Sequence, residues 1–152
     1  MNALEEMRTA RAHQRVDWFV RRAILGAGIV VTFSITAFAQ GSARVAAGED
    51  AWNKAGCFQC HGASGEGGDG GEFPAGPSLR ETRLDRTTLA ETISCGRPGT
   101  KMPAWLDDAY TQSPCYGLPK GPAPAGLDRT PVLSADEVQA LLDHLMAKII
   151  GR

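Results

Sequence analysis

Aromatic side chains, net charge and basic clusters are all scarce in this sequence. Phe, Trp and Tyr make up 7% of the 152 residues, and the formal net charge is −1. No Lys/Arg run occurs beyond the first 22 residues, so the composition gives no reason to expect nucleic-acid binding. The length suits one modest globular domain and leaves no room for a second large core.

Regular secondary structure is also scarce. No alternating β pattern of useful length and no internal repeat occurs, whereas 18 glycines and 9 prolines interrupt the chain. Residues 62–76 contain seven glycines, and residues 107–131 contain five prolines and three glycines. These two segments and residues 96–105 are therefore predicted to be loops.

Three short helices are predicted between these loops. The first covers Ala46–Gly56, and the second runs from a capping-box pattern at Thr88 to Cys95. Gly96 follows as a stop signal. The third opens with a capping box at Ser134 and has the clearest apolar stripe. The stripe consists of Val138, Leu141, Leu142, Leu145, Met146 and Ile149. The predicted fold class is all-α, with long Gly/Pro-rich loops.

The first 39 residues have the pattern of an export signal. A basic region precedes an uncharged run from Ala23 to Gly41, which contains the small-x-small sequence Ala37-Phe38-Ala39. The alternative is a retained membrane anchor formed by residues 23–39, whose helix would span about 25 Å of a hydrocarbon core of about 30 Å. In both cases residues 40–152, with a net charge of −3, form the exported, periplasmic domain.

All four cysteines lie in the exported segment, and two of them belong to the sequence Cys57-Phe58-Gln59-Cys60-His61. Cys-x-x-Cys-His is the attachment signature of a c-type haem. Two sulfurs one helical turn apart can form thioethers to the porphyrin, and the next side chain, His61, then reaches the iron. A zinc site completed by Cys95 and Cys115 would leave His61 without a role, and a thioredoxin-like dithiol would need a βαβ context that is absent.

The exported segment resembles the class I c-type cytochromes. The haem motif is accompanied by Gly48 and Trp52, by Gly76-Pro77-Ser78-Leu79, by Met102-Pro103 and by a C-terminal helix from Ser134. The resemblance implies a small cytochrome c-like fold, in which three or more short helices wrap around one covalently bound haem c.

The resemblance also implies which residues hold and orient the haem. Cys57 and Cys60 would be the thioether anchors, His61 the proximal iron ligand and Met102 the distal one. The carbonyl of Pro77 would accept a hydrogen bond from the far ring nitrogen of His61 and fix its tautomer. Because histidine and methionine together leave no open position on the iron, we expect an electron-transfer protein and not an enzyme.

The chain departs from that family at three places. His144 stands where the family usually offers an aromatic residue, and the segment 107–131 is longer than a compact member needs. Cys95 and Cys115 are additions, and their export and even count predict a disulfide between them. We hypothesise that this disulfide, which would close a loop spanning Met102, holds the methionine against the haem.

Five further residues have less specific assignments. Met146 is assigned to core packing because it lies on the apolar stripe of the last helix. Trp105 is assigned either to packing on the haem edge or to simple burial in its loop. Arg80, Arg97 and Lys101 are candidates for pairing with the haem propionates, and the sequence does not choose among them.

The sequence therefore predicts an exported carrier that shuttles single electrons from a periplasmic dehydrogenase or a membrane complex to a terminal acceptor. One alternative is a dedicated cytochrome subunit of one exported dehydrogenase, with residues 107–131 as its docking surface. The other is a haem sensor or enzyme with a displaceable Met102. The expected partners are redox proteins, with no nucleic acid, and residues 23–39 offer a membrane tether if the leader is retained.

Overall fold

The computed structural model describes residues 40–151. The export signal or anchor predicted for residues 1–39 lies outside the described residues. Within them, no helix is both long and apolar enough to cross a membrane.

Short helices make up most of the regular structure. Helix α1 covers residues 40–54, and the single turn of α2 follows at Cys57–His61. Helix α3 is Arg86–Cys95 and α4 is Ala135–His144, which continues directly into a π-helical segment at Leu145–Ile149. The three predicted helices are thus present, and the predicted loop 62–76 contains neither helix nor strand.

A small parallel sheet corrects the prediction of an all-α fold. Strand β1 (Ala104–Leu106) pairs with β2 (Arg129–Leu133), and Leu106 lies opposite Leu133. The sequence patterns did not predict the two strands because each strand is very short and lies in a segment rich in Pro and Gly. The pairing is also non-local, so no turn signal in the sequence announces it. The fold is small and mainly helical, and the two paired strands join the segments at residues 104–106 and 129–133.

The two capping predictions had different outcomes. At α4, the Ser134 and Glu137 capping box is present with both of its hydrogen bonds. At α3, the helix begins one turn earlier than predicted, because the Asp85 carboxylate accepts a hydrogen bond from the backbone N–H of Thr88 at 2.8 Å. Glu91, the predicted partner of Thr88, instead accepts a hydrogen bond from the backbone of residue 116.

Helices α1 and α4 cross at very close range. A Cβ atom on Gly48 would lie 2.0 Å from the carbonyl oxygen of Ala140, so only glycine permits this approach. Next to the crossing, the rings of Trp52 and His144 stack in a tilted arrangement with centroids 6.4 Å apart. The aromatic residue that the family would offer at 144 is therefore replaced by a histidine that still packs on Trp52.

The assignment of Met146 to the core is wrong. Its side chain is 48% exposed, whereas the neighbouring stripe residues Leu145 and Ile149 are buried. The backbone changes from α-helical to π-helical geometry at Leu145, and in these wider turns Leu145 and Ile149 remain buried whereas Met146 is exposed. A sequence pattern based on a regular α-helix cannot anticipate this change.

Candidate cofactor site

A cleft of about 450 Å³ lies where α2, α3, α4 and two loops meet. Its volume is within the range of cofactor and ligand pockets in proteins. Apolar walls come from α1, α3, α4 and the π-helical segment that follows α4. These walls include Trp52, Leu89, Ile93, Leu141 and Leu145. The cleft is therefore lined in part by the hydrophobic core.

The predicted anchor residues lie on one turn of helix at the edge of this cleft. Gly56, with φ +68°, precedes α2, and Gly62, with φ +81°, ends it. Positive φ angles at both ends favour glycine and restrict α2 to a single turn. Cys57 and Cys60 are free thiols, both half-buried, and both line the cleft with His61. The cysteine spacing thus presents two sulfurs and one imidazole to the same cavity.

His61 is oriented by a backbone carbonyl. Its Nδ1 atom lies 2.9 Å from the carbonyl oxygen of Pro77. Because a carbonyl only accepts hydrogen bonds, this contact places the ring proton on Nδ1 and leaves the lone pair on Nε2. The imidazole is therefore held in the tautomer that a metal ligand requires.

The glycine-rich loop 62–76 packs closely on α2 and is hydrogen-bonded to it. The backbone N–H of Gly76 donates to the Cys60 carbonyl at 2.7 Å, and that of Gly67 donates to the His61 carbonyl at 2.8 Å. A Cβ atom on Gly68 would lie 2.2 Å from the same Cys60 oxygen. The sequence analysis identified this segment as a loop but missed that its glycines allow it to cradle α2.

Met102 reaches the cleft from a tight turn that follows α3. Gly96, with φ +68°, ends the helix, and the backbone N–H of Arg97 donates to the Met102 carbonyl at 3.0 Å. Immediately beyond, Ala104 donates to the Asp128 carbonyl at 3.0 Å as β1 begins. The half-buried Met102 side chain lines the same cleft as His61. The structure therefore brings the two predicted ligands to one cavity.

The cationic candidates separate into two groups. Arg97 and Lys101 line the cleft. Arg80 does not, because its Nε donates to the carbonyl of Ser64 at 3.1 Å and its guanidinium lies 3.9 Å from the Glu66 carboxylate. The candidates for pairing with an anionic cofactor edge are thus reduced to Arg97 and Lys101.

Two other side chains, Trp105 and His144, lie near the cleft. Trp105 is half-buried and lines the cleft, as its assignment to the cofactor edge requires. His144 is buried next to Trp52 but does not line the cleft. It is therefore not placed to compete with Met102 for a metal in this cavity.

The state of the four sulfurs argues against the zinc and dithiol alternatives. The sulfur atoms of Cys95 and Cys115 face each other, with the two Cα atoms 5.8 Å apart, so they are not placed to complete a tetrahedral site with Cys57. No group of three or more His, Cys, Asp or Glu side chains in residues 40–151 is placed to hold a metal ion. Burial raises the pKa of Cys57 to about 12, whereas a redox-active dithiol needs a lowered pKa.

Comparison with known proteins agrees with this donor set. Residues 43–113 match the family model described as "Cytochrome C oxidase, cbb3-type, subunit III". The match supports a mono-haem c-type cytochrome domain in these residues. A cytochrome c domain implies covalently bound haem c and a haem-based electron carrier. No curated protein and no solved structure matches the chain.

The residues of the cytochrome domain fit this cofactor. Two free thiols stand one helical turn apart, an imidazole presents its Nε2 lone pair, and a thioether lies in the same apolar cavity. A Cβ atom on Gly76 would approach both the Cys60 oxygen and His61 Nδ1 to within 3 Å, so the cradle depends on glycine there. The match includes Cys57, Cys60, His61, Pro77 and Met102.

Proposed function

We propose that this protein is an exported single-electron carrier whose haem iron is held by His61 and Met102. The observation that carries the proposal is the shared cleft, in which His61, oriented by Pro77, and Met102 both form the lining. Haem c, when bound, supplies an iron centre that gains and loses one electron. The residues of the chain hold the haem, orient its ligands and exclude water from it.

Cys57 and Cys60 hold the cofactor by thioether bonds and prevent its loss outside the cytoplasm. The Pro77 carbonyl keeps the proton of His61 on Nδ1, so that Nε2 is the ligand. Met102 supplies a soft sulfur ligand, which favours the reduced iron and raises the reduction potential. The apolar walls exclude water and act in the same direction, because they disfavour the more highly charged oxidised state.

The proposed cellular location is based on a division of the chain after residue 39. Residues 1–39 direct export and are either removed or retained as an anchor, and residues 40–152 work in the periplasm. The donor is a periplasmic dehydrogenase or a membrane complex, and the acceptor is a terminal electron acceptor. The exported domain has 11 Lys/Arg against 14 Asp/Glu, so long-range electrostatic steering toward these partners is weak.

Expression of the full chain with a c-type maturation system tests the proposal. We expect a red protein whose haem stays attached after denaturation and whose oxidised spectrum shows the near-infrared sulfur-to-iron band. The reduced protein should not bind carbon monoxide at neutral pH. Carbon monoxide binding and a high-spin spectrum would instead support the sensor or enzyme alternative. N-terminal sequencing of the exported protein distinguishes a cleaved leader from a retained anchor.

A second candidate function is a dedicated cytochrome subunit of one larger complex, such as an exported dehydrogenase. The observation that favours it is the description of the matching family, which names a subunit of an oxidase. Affinity purification from native membranes and periplasm separates the two functions. A stoichiometric enzyme partner would indicate a subunit, whereas a free monomer that oxidises several donors would indicate a mobile carrier.

A further inference from the structure

The only two tyrosines of the chain lie in the segment 107–131, and both point back to the end of α3. The hydroxyl of Tyr110 donates to the carbonyl oxygen of Cys95 at 3.0 Å, in a buried position. The hydroxyl of Tyr116 donates to the carbonyl oxygen of the next residue, Gly96. The last carbonyls of a helix have no partner within the helix, so the two phenols cap α3 from outside.

These two carbonyls belong to the base of the turn that carries Met102. A Cβ atom on Gly96 would lie 2.6 Å from both the Pro103 carbonyl carbon and the Ala104 nitrogen, so the backbone segments before and after the turn are in contact. The turn itself is closed by the hydrogen bond from Arg97 N–H to the Met102 carbonyl. Restraining residues 95 and 96 therefore restrains both ends of the turn.

Both tyrosines adopt backbone conformations that are uncommon for residues with a side chain. Their φ angles are +68° at Tyr110 and +55° at Tyr116. Bulky residues in the left-handed region are strained and persist only where the surrounding structure fixes them. The constraint for Tyr116 includes a hydrogen bond from its N–H to the Glu91 carboxylate at 2.7 Å, and Tyr110 N–H donates to Ser113 at 2.8 Å.

We propose that Tyr110 and Tyr116 are positioning residues that keep Met102 on the haem iron. The proposal rests on the proposed function, since it requires Met102 to be the distal ligand. Neither phenol lines the cleft, so each acts through the backbone of residues 95–104. Loss of a phenol would leave an α3 carbonyl without its donor and would favour an open turn, in which the methionine leaves the iron.

Competition with an added ligand measures the open population directly. Imidazole binds the ferric iron only when Met102 has left, so its apparent dissociation constant falls as the open fraction rises. A lost hydrogen bond to a buried carbonyl changes such an equilibrium by roughly three- to tenfold. We therefore expect imidazole to bind about three- to tenfold more tightly to holo Tyr110→Phe and Tyr116→Phe than to the wild type.

Ser113→Ala is the matched control. It removes a hydrogen bond of the same segment, from Ser113 Oγ to Asp108 at 2.9 Å, that does not reach α3. Its imidazole affinity should stay within about twofold of the wild type. Tyr116→Phe is the deciding variant if Tyr110→Phe fails to fold, because the Tyr116 side chain is 42% exposed whereas Tyr110 is buried.

Heating gives a second readout that a merely structural role would not move. The near-infrared band of the tyrosine variants should disappear at a lower temperature than their helical circular dichroism, whereas both signals should coincide in Ser113→Ala. Wild-type imidazole affinity in a folded Tyr116→Phe with an intact band would overturn the proposal. A wild-type protein without the near-infrared band would instead show that the proposed function itself is wrong.

Discussion

His61 Nδ1 lies 2.9 Å from the carbonyl oxygen of Pro77, and the chain reaches this carbonyl through Gly76. The glycine is needed because a Cβ atom there would lie 2.7 Å from the Cys60 oxygen and 2.9 Å from His61 Nδ1 itself. The absence of a side chain at Gly76 thus allows the Pro77 carbonyl to approach and orient the His61 imidazole. This hydrogen bond joins α2 to the end of the glycine-rich loop, so that the two segments form one site.

Replacing Gly76 with alanine should disturb this orientation. The added methyl group must displace either the α2 carbonyl or the imidazole, so we expect a lower yield of holoprotein and a weakened near-infrared band. Gly71→Ala is the control in the same loop, since its Cβ would meet only the Asp69 side chain at an ordinary distance of 3.5 Å. Equal holoprotein yields and spectra for the two variants would contradict the proposed need for glycine at position 76.

The pair Cys95 and Cys115 should form a disulfide in the exported protein. Their Cα atoms are 5.8 Å apart and the bond closes a loop with a sequence separation of 20. Replacing both with serine should lower the free energy of unfolding by about 3 kcal/mol, measured by guanidinium denaturation. Thiol labelling of the denatured, unreduced holoprotein should find no free cysteine, and two labelled thiols would contradict the prediction.

Arg97 should raise the reduction potential, because a positive charge beside the cleft stabilises the reduced iron. Arg97→Gln is therefore expected to lower the potential by tens of millivolts, measured by optical redox titration. Arg80→Gln removes the same charge from a residue that is bonded to Ser64 and does not line the cleft. A shift of equal size in both variants would show that only the net charge matters.

His144 should make the fold less stable in mild acid. Burial lowers its pKa, against the opposing effects of Glu49 and a hydrogen bond with the Val45 backbone, while Lys148 acts with burial. Because the folded pKa lies below the unfolded value of about 6.5, the contribution to stability is complete above that pH. It is lost as the pH falls through the interval between the two pKa values.

His144→Phe provides the test of this pH dependence. The phenyl ring can still pack on Trp52, which lies 6.4 Å from the histidine ring centroid, but it takes up no proton. The difference in unfolding free energy between the variant and the wild type, measured from pH 8 to pH 5, should therefore change below about pH 6.5 in favour of the variant. A difference that does not vary with pH would show that His144 titrates equally in both states.

The local parts of this structure could be predicted from the sequence, and the non-local parts could not. The Ser134–Glu137 capping box and the glycine-rich loop depend on neighbouring residues, so the sequence contains their signals. The pairing of β1 with β2 and the contacts of Tyr110 and Tyr116 join segments far apart in the chain. No periodicity or turn residue encodes such contacts.

The candidate site divides in the same way. The motif around His61 is a local pattern, whereas Met102 was predicted through the family resemblance, and the structure brings both side chains to one cleft. The elimination of Arg80, which left Arg97 and Lys101 as candidates, depended on the hydrogen bond from Arg80 to Ser64, which the sequence does not show. The exposure of Met146 depended on a change of helical geometry that the apolar stripe conceals.

Ligation by Met102 is the central claim, and the two methionines of the described cytochrome domain provide its most direct test. Met102 lines the cleft, whereas Met146 is on the surface. The measurement is the near-infrared sulfur-to-iron band of oxidised holoprotein in Met102→Leu and Met146→Leu. We predict that the band is absent from Met102→Leu and unchanged in Met146→Leu. A band that survives in Met102→Leu, or is lost in Met146→Leu, would contradict the account.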